Sequence, residues 1–351
     1  MTSLESRAEV IKLARELQTE PERLDFLEGA APEAIRAFRR SVHQRLDAPH
    51  RPMFRRIAKV GALVPGTLAV RIAMRYYGPM FVGMVATEVP PARAADLIGS
   101  VPPEFIADAA PYVDPEAVGP IVRGLRTEAM LPAMREMLRR KDYVTLARFV
   151  SAVSDELILE VLPSIESGAD LLMIVLNSEI SDVAGHFDIV LTRVDDDRIR
   201  SLVQAAADAG LFAETLTFLQ FLSTPTRARI ADAAAELGPA VLTAMIDAAH
   251  RENAWPELLS VAAALTETHL SSFAAADAWT EQALTGLIAA ADQHDLWDAL
   301  IRVVAAMPPD RLRVFAELPA WDTVDTAAAL AAAERSAHGD RLADLVARLR
   351  A

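Results

Sequence analysis

The stretch Val89–Leu125 reads VPPARAADLIGSVPPEFIADAAPYVDPEAVGPIVRGL, and it sets one phrase at a strict twelve-residue interval: Val89-Pro90-Pro91, Val101-Pro102-Pro103 and Val113-Asp114-Pro115. In each phrase an apolar residue closes one helix, and a proline or an acid opens the next. Proline suits a first helical turn because no N–H is needed there, while Ser, Thr or Asp accepts an N–H that the turn leaves unpaired. Related phrases return at Val153-Ser154-Asp155, Val194-Asp195-Asp196, Leu222-Ser223-Thr224, Leu265-Thr266-Glu267 and Met307-Pro308-Pro309. The residue eight places after the opening apolar one is usually apolar too: Leu97, Ala109, Ile121, Val161, Leu202, Ile230, Phe273 and Phe315. Eight residues is a little over two turns, so this side chain lies near the face that starts the packing. Repeated helix starts are the sequence form of a solenoid. The expected fold is therefore all-α, an irregular helical-repeat solenoid (a HEAT-like superhelix) of short helices and helical hairpins.

From Val153 onward the phrases are separated by 41, 28, 43 and 42 residues. Phe212, Trp255 and Trp297 each lie ten residues before their phrase, after a turn-like approach. A period near 42 fits two or three helices per repeat, and three or more such units would bury a continuous core between neighbours. Beyond Pro319 the pattern fades into an alanine-rich helix at 325–333 and an amphipathic one at 336–349, which read as a terminal cap. Toward the amino end, residues 4–17 read as a helix, Pro21 and Pro32 mark further starts, and Asp47–Pro52 is a turn or linker. The expected organisation is an N-terminal helical lobe over 1–52, a basic-apolar helical segment over 53–88, short-helix repeats over 89–141, longer repeats over 142–322 and a helical cap over 323–351.

On the residues quoted above, Val89–Leu125 resembles the N-terminal helical domain of MgtE-type magnesium transporters. In that family this cytosolic domain is a superhelix of short helices that helps sense magnesium ahead of a CBS pair and a membrane channel. The resemblance would put Asp96, Glu104, Asp108, Asp114 and Glu116 at comparable acidic helix ends. Neither a CBS pair nor a channel segment is seen in this sequence, so what the resemblance implies here is architecture.

Cysteine is absent, which excludes disulfides, thiolate ligands and a cysteine nucleophile. The amino terminus carries Glu5 and Glu9 and no apolar signal core, so the cytoplasm is the expected compartment, with membrane association as the alternative. The formal charge of −14 is segregated, with a net of +5 over residues 1–86 and −19 over the remainder. Residues 36–75 hold ten basic side chains and a single acid, Asp47. Such segregation speaks to partners more than to fold.

Two uncharged spans, Val60–Val70 and Tyr76–Thr87, flank Arg71 and Arg75. Neither reaches the roughly 20 apolar residues of a bilayer-crossing helix, and one joint span would bury both arginines. A buried helical hairpin and a surface-inserting segment both remain open. Phe54, Arg55, Arg56, Lys59, Arg71, Arg75, Tyr76, Tyr77 and Phe81 are the candidate contacts for a partner or a lipid. Long basic side chains can stay among anionic headgroups while apolar neighbours enter the boundary. Alternatively, this lobe docks on the acidic repeats. The acidic chain lacks a nucleic-acid reading motif, which argues against that partner.

The sequence contains no P-loop, GxGxxG, HExxH or GxSxG pattern. Asp182, His186 and Asp188 form the best metal-like group, yet two ligands on one helical face fall short of the three or four that zinc takes. Asp195-Asp196-Asp197 reads as a helix cap, and Trp255 and Trp297 read as packing between equivalent repeats, with Trp279 and Trp321 left as groove candidates. No catalytic set, metal site or cofactor is assigned. The expected function is a non-catalytic scaffold for a protein or peptide partner. The alternatives are a peripheral membrane or hydrophobic-ligand protein using residues 53–87, and an enzyme whose pocket would gather His186, Asp182, Asp188, Glu214 and His250.

Overall fold

The computed structural model describes residues 4–17, 19–47, 50–178 and 180–350, without the side chains of 4, 5, 8, 15, 16, 43, 44, 46, 47, 116 and 180–182. Among the described residues every regular element is helical, and helices distant in sequence pack on one another. The chain divides into two compact units, Met1–Ser164 and Ile165–Ala351.

In the N-terminal unit, α1 (Leu4–Glu16) packs on the 3-10 turn Pro21–Leu27 and on α2 (Pro32–Asp47). Val10, Leu13, Ala14 and Ile35 fill the interface. The buried Glu9 carboxylate lies 3.3–3.5 Å from Lys12, Arg36 and Arg39, the kind of pairing that a buried charge requires. Short helices follow: α3 (Arg51–Gly61), α4 (Gly66–Ile72), α5 (Gly78–Ala86), α6 (Pro91–Ile98), α7 (Pro103–Ala109) and α8 (Pro115–Gly124). The unit continues through α9 (Thr127–Arg139), α10 (Tyr143–Phe149) and α11 (Asp155–Val161). Each short helix packs on its next-but-one neighbour, α3 on α5, α5 on α7, α7 on α9 and α9 on α11, with α4 on α6 and α6 on α8. Helices this short have little stability of their own and depend on such packing.

The C-terminal unit opens with α12 (Gly168–Asn177) and α13 (Ile180–Arg193). Three trios then follow one order. They are α14 (Asp196–Ala209), α15 (Phe212–Leu219) and α16 (Thr224–Glu236); α17 (Pro239–Glu252), α18 (Trp255–Ala262) and α19 (Glu267–Ala274); and α20 (Glu281–His294), α21 (Trp297–Ala305) and α22 (Pro309–Ala316). Helices α23 (Thr326–Arg335) and α24 (Ala343–Arg350) close the chain. The first helix of each trio ends on a left-handed residue, Gly210, Asn253 or Asp295, with φ of 68°, 55° and 53°. Glycine is free there, and Asn and Asp are the side chains that best tolerate it.

Two residues later an aromatic begins the second helix, and the last two trios share one aromatic arrangement. Trp255 stacks on Trp279 at 6.4 Å and Trp297 on Trp321 at 6.0 Å between ring centroids. Trp279 and Trp321 donate their indole N–H to the carbonyls of Phe273 and Phe315 at 2.8 and 2.9 Å, and meet those rings edge-on. All four tryptophans are buried, which places Trp279 and Trp321 in the core rather than on a groove wall. Gly286 makes room for this layer, because a Cβ there would stand 2.3 Å from the Trp255 indole nitrogen.

Every one of the repeated phrases opens a helix: α6, α7, α8, α11, α14, α16, α19 and α22. They are of two kinds. Val194 precedes the long first helix of a trio, whereas Leu222, Leu265 and Met307 precede a third helix. That difference explains the intervals of 41 and 28 before the regular 43 and 42. Ser154 and Asp195 cap their own helices, accepting the Leu157 and Arg198 N–H at 3.3 and 2.8 Å. Ser223 and Thr266 act otherwise. Their hydroxyls and N–H groups donate to Asp188 and Asp232, 35 and 34 residues earlier. The apolar residue of the phrase is fastened from the other direction. The carbonyl of Val113 accepts from Arg148 at 3.1 Å, that of Val194 from Arg229 at 2.5 Å, that of Leu265 from Arg302 at 2.6 Å and that of Met307 from Arg341 at 2.7 Å.

Burial pushes the Asp188 carboxyl up, but hydrogen bonds from the Thr226 and Ser223 hydroxyls and the Ser223 N–H outweigh it, leaving the pKa below its ordinary 3.8. A carboxylate with a depressed folded value stabilises the fold above the unfolded pKa and loses that contribution as pH falls through the folded one. Asp188→Asn is therefore expected to cost about 1 kcal/mol at neutral pH, with the difference from wild type shrinking below pH 3.8 in urea titrations. Arg302→Ala, which releases the Ala263 and Leu265 carbonyls and Glu267, should cost about 2 kcal/mol. Arg313→Ala, which loses only a 3.9 Å surface pair with Asp310, should stay within about 0.5 kcal/mol in the same measurement.

A candidate apolar ligand cavity

The basic-apolar segment folds into α3, α4, a π-turn over Ala73–Tyr77 and α5. Its local form follows from a few residues. Pro65 precedes α4, and Gly78, at φ 75°, lets the chain leave the π-turn and begin α5 with Pro79 in the first turn. Phe54 is buried and meets Phe81 edge-on at 5.6 Å, while Tyr77 stacks on Phe81 at 4.9 Å. These rings tie α3 to α5. Gly83 lets α5 approach α7, since a Cβ there would lie 2.6 Å from the Ala109 carbonyl oxygen.

Between the helices of this unit lies a cavity of about 600 Å³. From the basic-apolar segment its wall takes Ile57, Val64, Val70, Met74, Phe81 and Val85, among others. The opposite wall comes from Leu97, Ile98, Val101, Ile106, Val118, Ile121, Met130, Met134, Met137 and Phe149 on α6 to α10 and their connections. Among the described residues the wall contains no acid, and its charged members are Arg56 and Arg93. The helices around it are thinly packed: α4, the π-turn and α6 bury no residue. Arg93 donates to the Val64 carbonyl at 2.6 Å, and its Nε is buried without a hydrogen-bond partner among the described residues.

The candidate contacts separate into three groups. Phe81, Tyr77 and Arg56 line the cavity, and Phe54 supports it from beneath Phe81. Arg55 is tied to Glu88 at 3.0 Å. Lys59, Arg71, Arg75 and Tyr76 are exposed and stand outside the wall. In the sequence the far wall, α6 to α10, was read as helix starts and repeats and not as part of a site. Met130, Met134 and Met137, spaced by four and three on one face of α9, were its clearest available signal, since methionine fits irregular apolar space.

The remaining candidates are scattered. Asp188 is engaged at Ser223, and Asp182 has its side chain outside those described. Asp195 caps α14, Asp196 pairs with Arg229 and Asp197 with Arg200. Among the described residues no group of three or more His, Asp or Glu is placed to hold a metal ion. His250 lines a smaller pocket of about 380 Å³ with Asp247 and Arg251, and neither His186, Asp188 nor Glu214 joins it there. Of the acids at the short-helix ends, Asp108 pairs with Arg140 and Asp114 with Arg51, Asp96 and Glu104 are exposed, and the Glu116 side chain is outside those described. Glu136, hydrogen-bonded by Arg139 and Arg140, has its pKa lowered to about 2.

No protein-family model matches the chain, and no curated protein matches it.

Proposed function

We propose that the N-terminal unit binds a long-chain hydrophobic molecule in the cavity between α3 and α10. The observation that carries this reading is a space of about 600 Å³ with an apolar wall and two arginines. That volume lies within the roughly 300–1,000 Å³ typical of small-molecule sites, which are apolar with a few polar groups to fix orientation. An apolar chain entering it would remove exposed Val, Ile, Leu and Met surface from water, which is the favourable term. The unpartnered Nε of Arg93 suits an acidic head at one end of such a chain.

A second reading rests on the C-terminal unit. We infer that its trios form a HEAT-like helical-repeat superhelix that serves as a scaffold for a protein or peptide partner. The support is the recurrence of the aromatic layer at an offset of 42 residues, Trp255 to Trp297 and Trp279 to Trp321. Stacked repeats of that length present extended surfaces to partners. Crosslinking of the intact protein in native extract should link a stoichiometric partner to residues 165–351; links confined to residues 1–164 would remove this reading.

The cavity reading is tested with a naturally fluorescent long-chain polyene acid. The intact protein should bind it saturably with one site, and Ala94→Trp, which fills the wall at α6, should weaken binding at least about tenfold with unchanged circular dichroism. Equal binding by both proteins, or none by either, would exclude the cavity as the site.

A further inference from the structure

The outer surface of the same segment departs from what a folded helix normally shows. Leu68, Arg71, Ile72, Arg75 and Tyr76 fall at i, i+3, i+4, i+7 and i+8 along α4 and the π-turn, the spacing of a single helical stripe. Apolar side chains at that spacing usually face a core, yet all five residues are exposed. On α3, Met53, Arg56, Val60 and Leu63 follow a similar spacing into the turn and are exposed as well. Leu63 is 86% and Tyr76 78% exposed, so neither is shared with the cavity's interior.

The charge is equally one-sided. Between Asp47 and Glu88 the chain contains no acid, and Glu88 is already held by Arg55. Arg56, Lys59, Arg71 and Arg75 make no ion pair with any described residue. Basic and apolar side chains are interleaved on one stripe rather than set apart. That arrangement suits a boundary where aliphatic stems enter the acyl region and charged ends remain among headgroups, and it suits a dry protein interface poorly. Tyrosine at the end of the stripe is a side chain favoured at that depth. Among the described residues no helix is long and apolar enough to cross a membrane, so contact here is peripheral.

We propose that residues 53–77 dock the protein on an anionic phospholipid bilayer, with Leu63, Leu68, Ile72 and Tyr76 entering the boundary and Arg56, Lys59, Arg71 and Arg75 meeting the headgroups. Val60, Ile72 and Tyr77 are at once exposed and part of the cavity lining, so they form its rim. Docking by this surface would set the rim of the cavity against lipid. The inference stands whether or not the cavity itself takes a ligand.

Flotation of the full chain with two kinds of vesicle tests it: phosphatidylcholine alone, and an equimolar mixture with phosphatidylglycerol. The protein should float with the mixed vesicles only, and high salt should release it. The double substitution Arg71→Gln with Arg75→Gln should lower partitioning about thirtyfold, at the usual contribution of each basic residue near an anionic surface. Leu68→Ser with Tyr76→Ser should also lower it, while Ala94→Trp should leave it unchanged. Because these stripe residues are exposed, circular dichroism should match wild type for each variant. No flotation, equal flotation with neutral vesicles, insensitivity to salt, or loss on Ala94→Trp alone would each overturn the proposal. So would a concentration-dependent dimer in sedimentation that the stripe substitutions disperse, because a second copy would then occupy the surface.

Discussion

A helix of two turns leaves more of its backbone groups unpaired at its ends than it pairs along its length, and such helices recur in both units, as α4, α7, α10, α15, α18 and α22. The ends must therefore be satisfied by something other than the helix itself. In the C-terminal unit the answer recurs: an aspartate of an earlier helix receives the N–H and hydroxyl that open a later one, and an arginine further along holds the carbonyl that precedes it. Because donor and acceptor belong to helices some 34–37 residues apart, each bond that ends a helix also fixes its neighbour. Capping and packing become one interaction. Asp188, Asp232, Arg229 and Arg302, which composition presents as surface charge, serve this end.

The two units differ in what fills the space between their helices. In the last two trios the interior is occupied by Trp255, Phe273 and Trp279, then by Trp297, Phe315 and Trp321, with Gly286 admitting the first indole. Between α3 and α8 no tryptophan occurs, and the inward residues are largely Val, Ala, Ile and Leu on helices of seven to eleven residues. Short helices punctuated by proline bring only three to five residues each to the cavity wall. With small ones in those places, helix-to-helix contacts along the rows close before the centre is filled, and the cavity is what remains. Three aromatic residues of this region, Phe54, Tyr77 and Phe81, sit together and brace α3 against α5.

The helix starts were legible because their signal is local. Proline in a first turn, or Ser, Thr and Asp before it, needs no knowledge of the rest of the chain, and Pro91, Pro103, Pro115 and Pro309 each open a helix. The buried residue eight places on was legible for the same reason, as Ile121, Val161, Phe273 and Phe315 illustrate. What Ser223 and Thr266 do with their hydroxyls was not, since the partner aspartate is identified only once α13 and α16 are known to adjoin. The cavity was half legible. Two uncharged spans over 60–87 marked one wall, whereas Leu97, Ile106, Ile121 and Met134 carry the periodicity of any helix core. Periodicity tells which way a side chain points, and only summed volumes tell whether the side chains meet.

The uneven charge has a consequence within the N-terminal unit itself. Arg56, Lys59, Arg71 and Arg75 stand on one segment with no acid among them, so at low ionic strength their mutual repulsion opposes the compact state. Elsewhere the chain shows how readily it pairs an arginine when pairing serves the fold, as Arg140 with Asp108 and Glu136 or Arg200 with Asp197 and Glu236. Leaving four cations without such partners among the described residues, beside apolar side chains that water solvates poorly, is a cost the unit bears in isolation. An anionic apolar boundary removes both parts of that cost together. A soluble anion would relieve only the repulsion, and a neutral apolar surface only the exposed Leu63, Leu68 and Ile72.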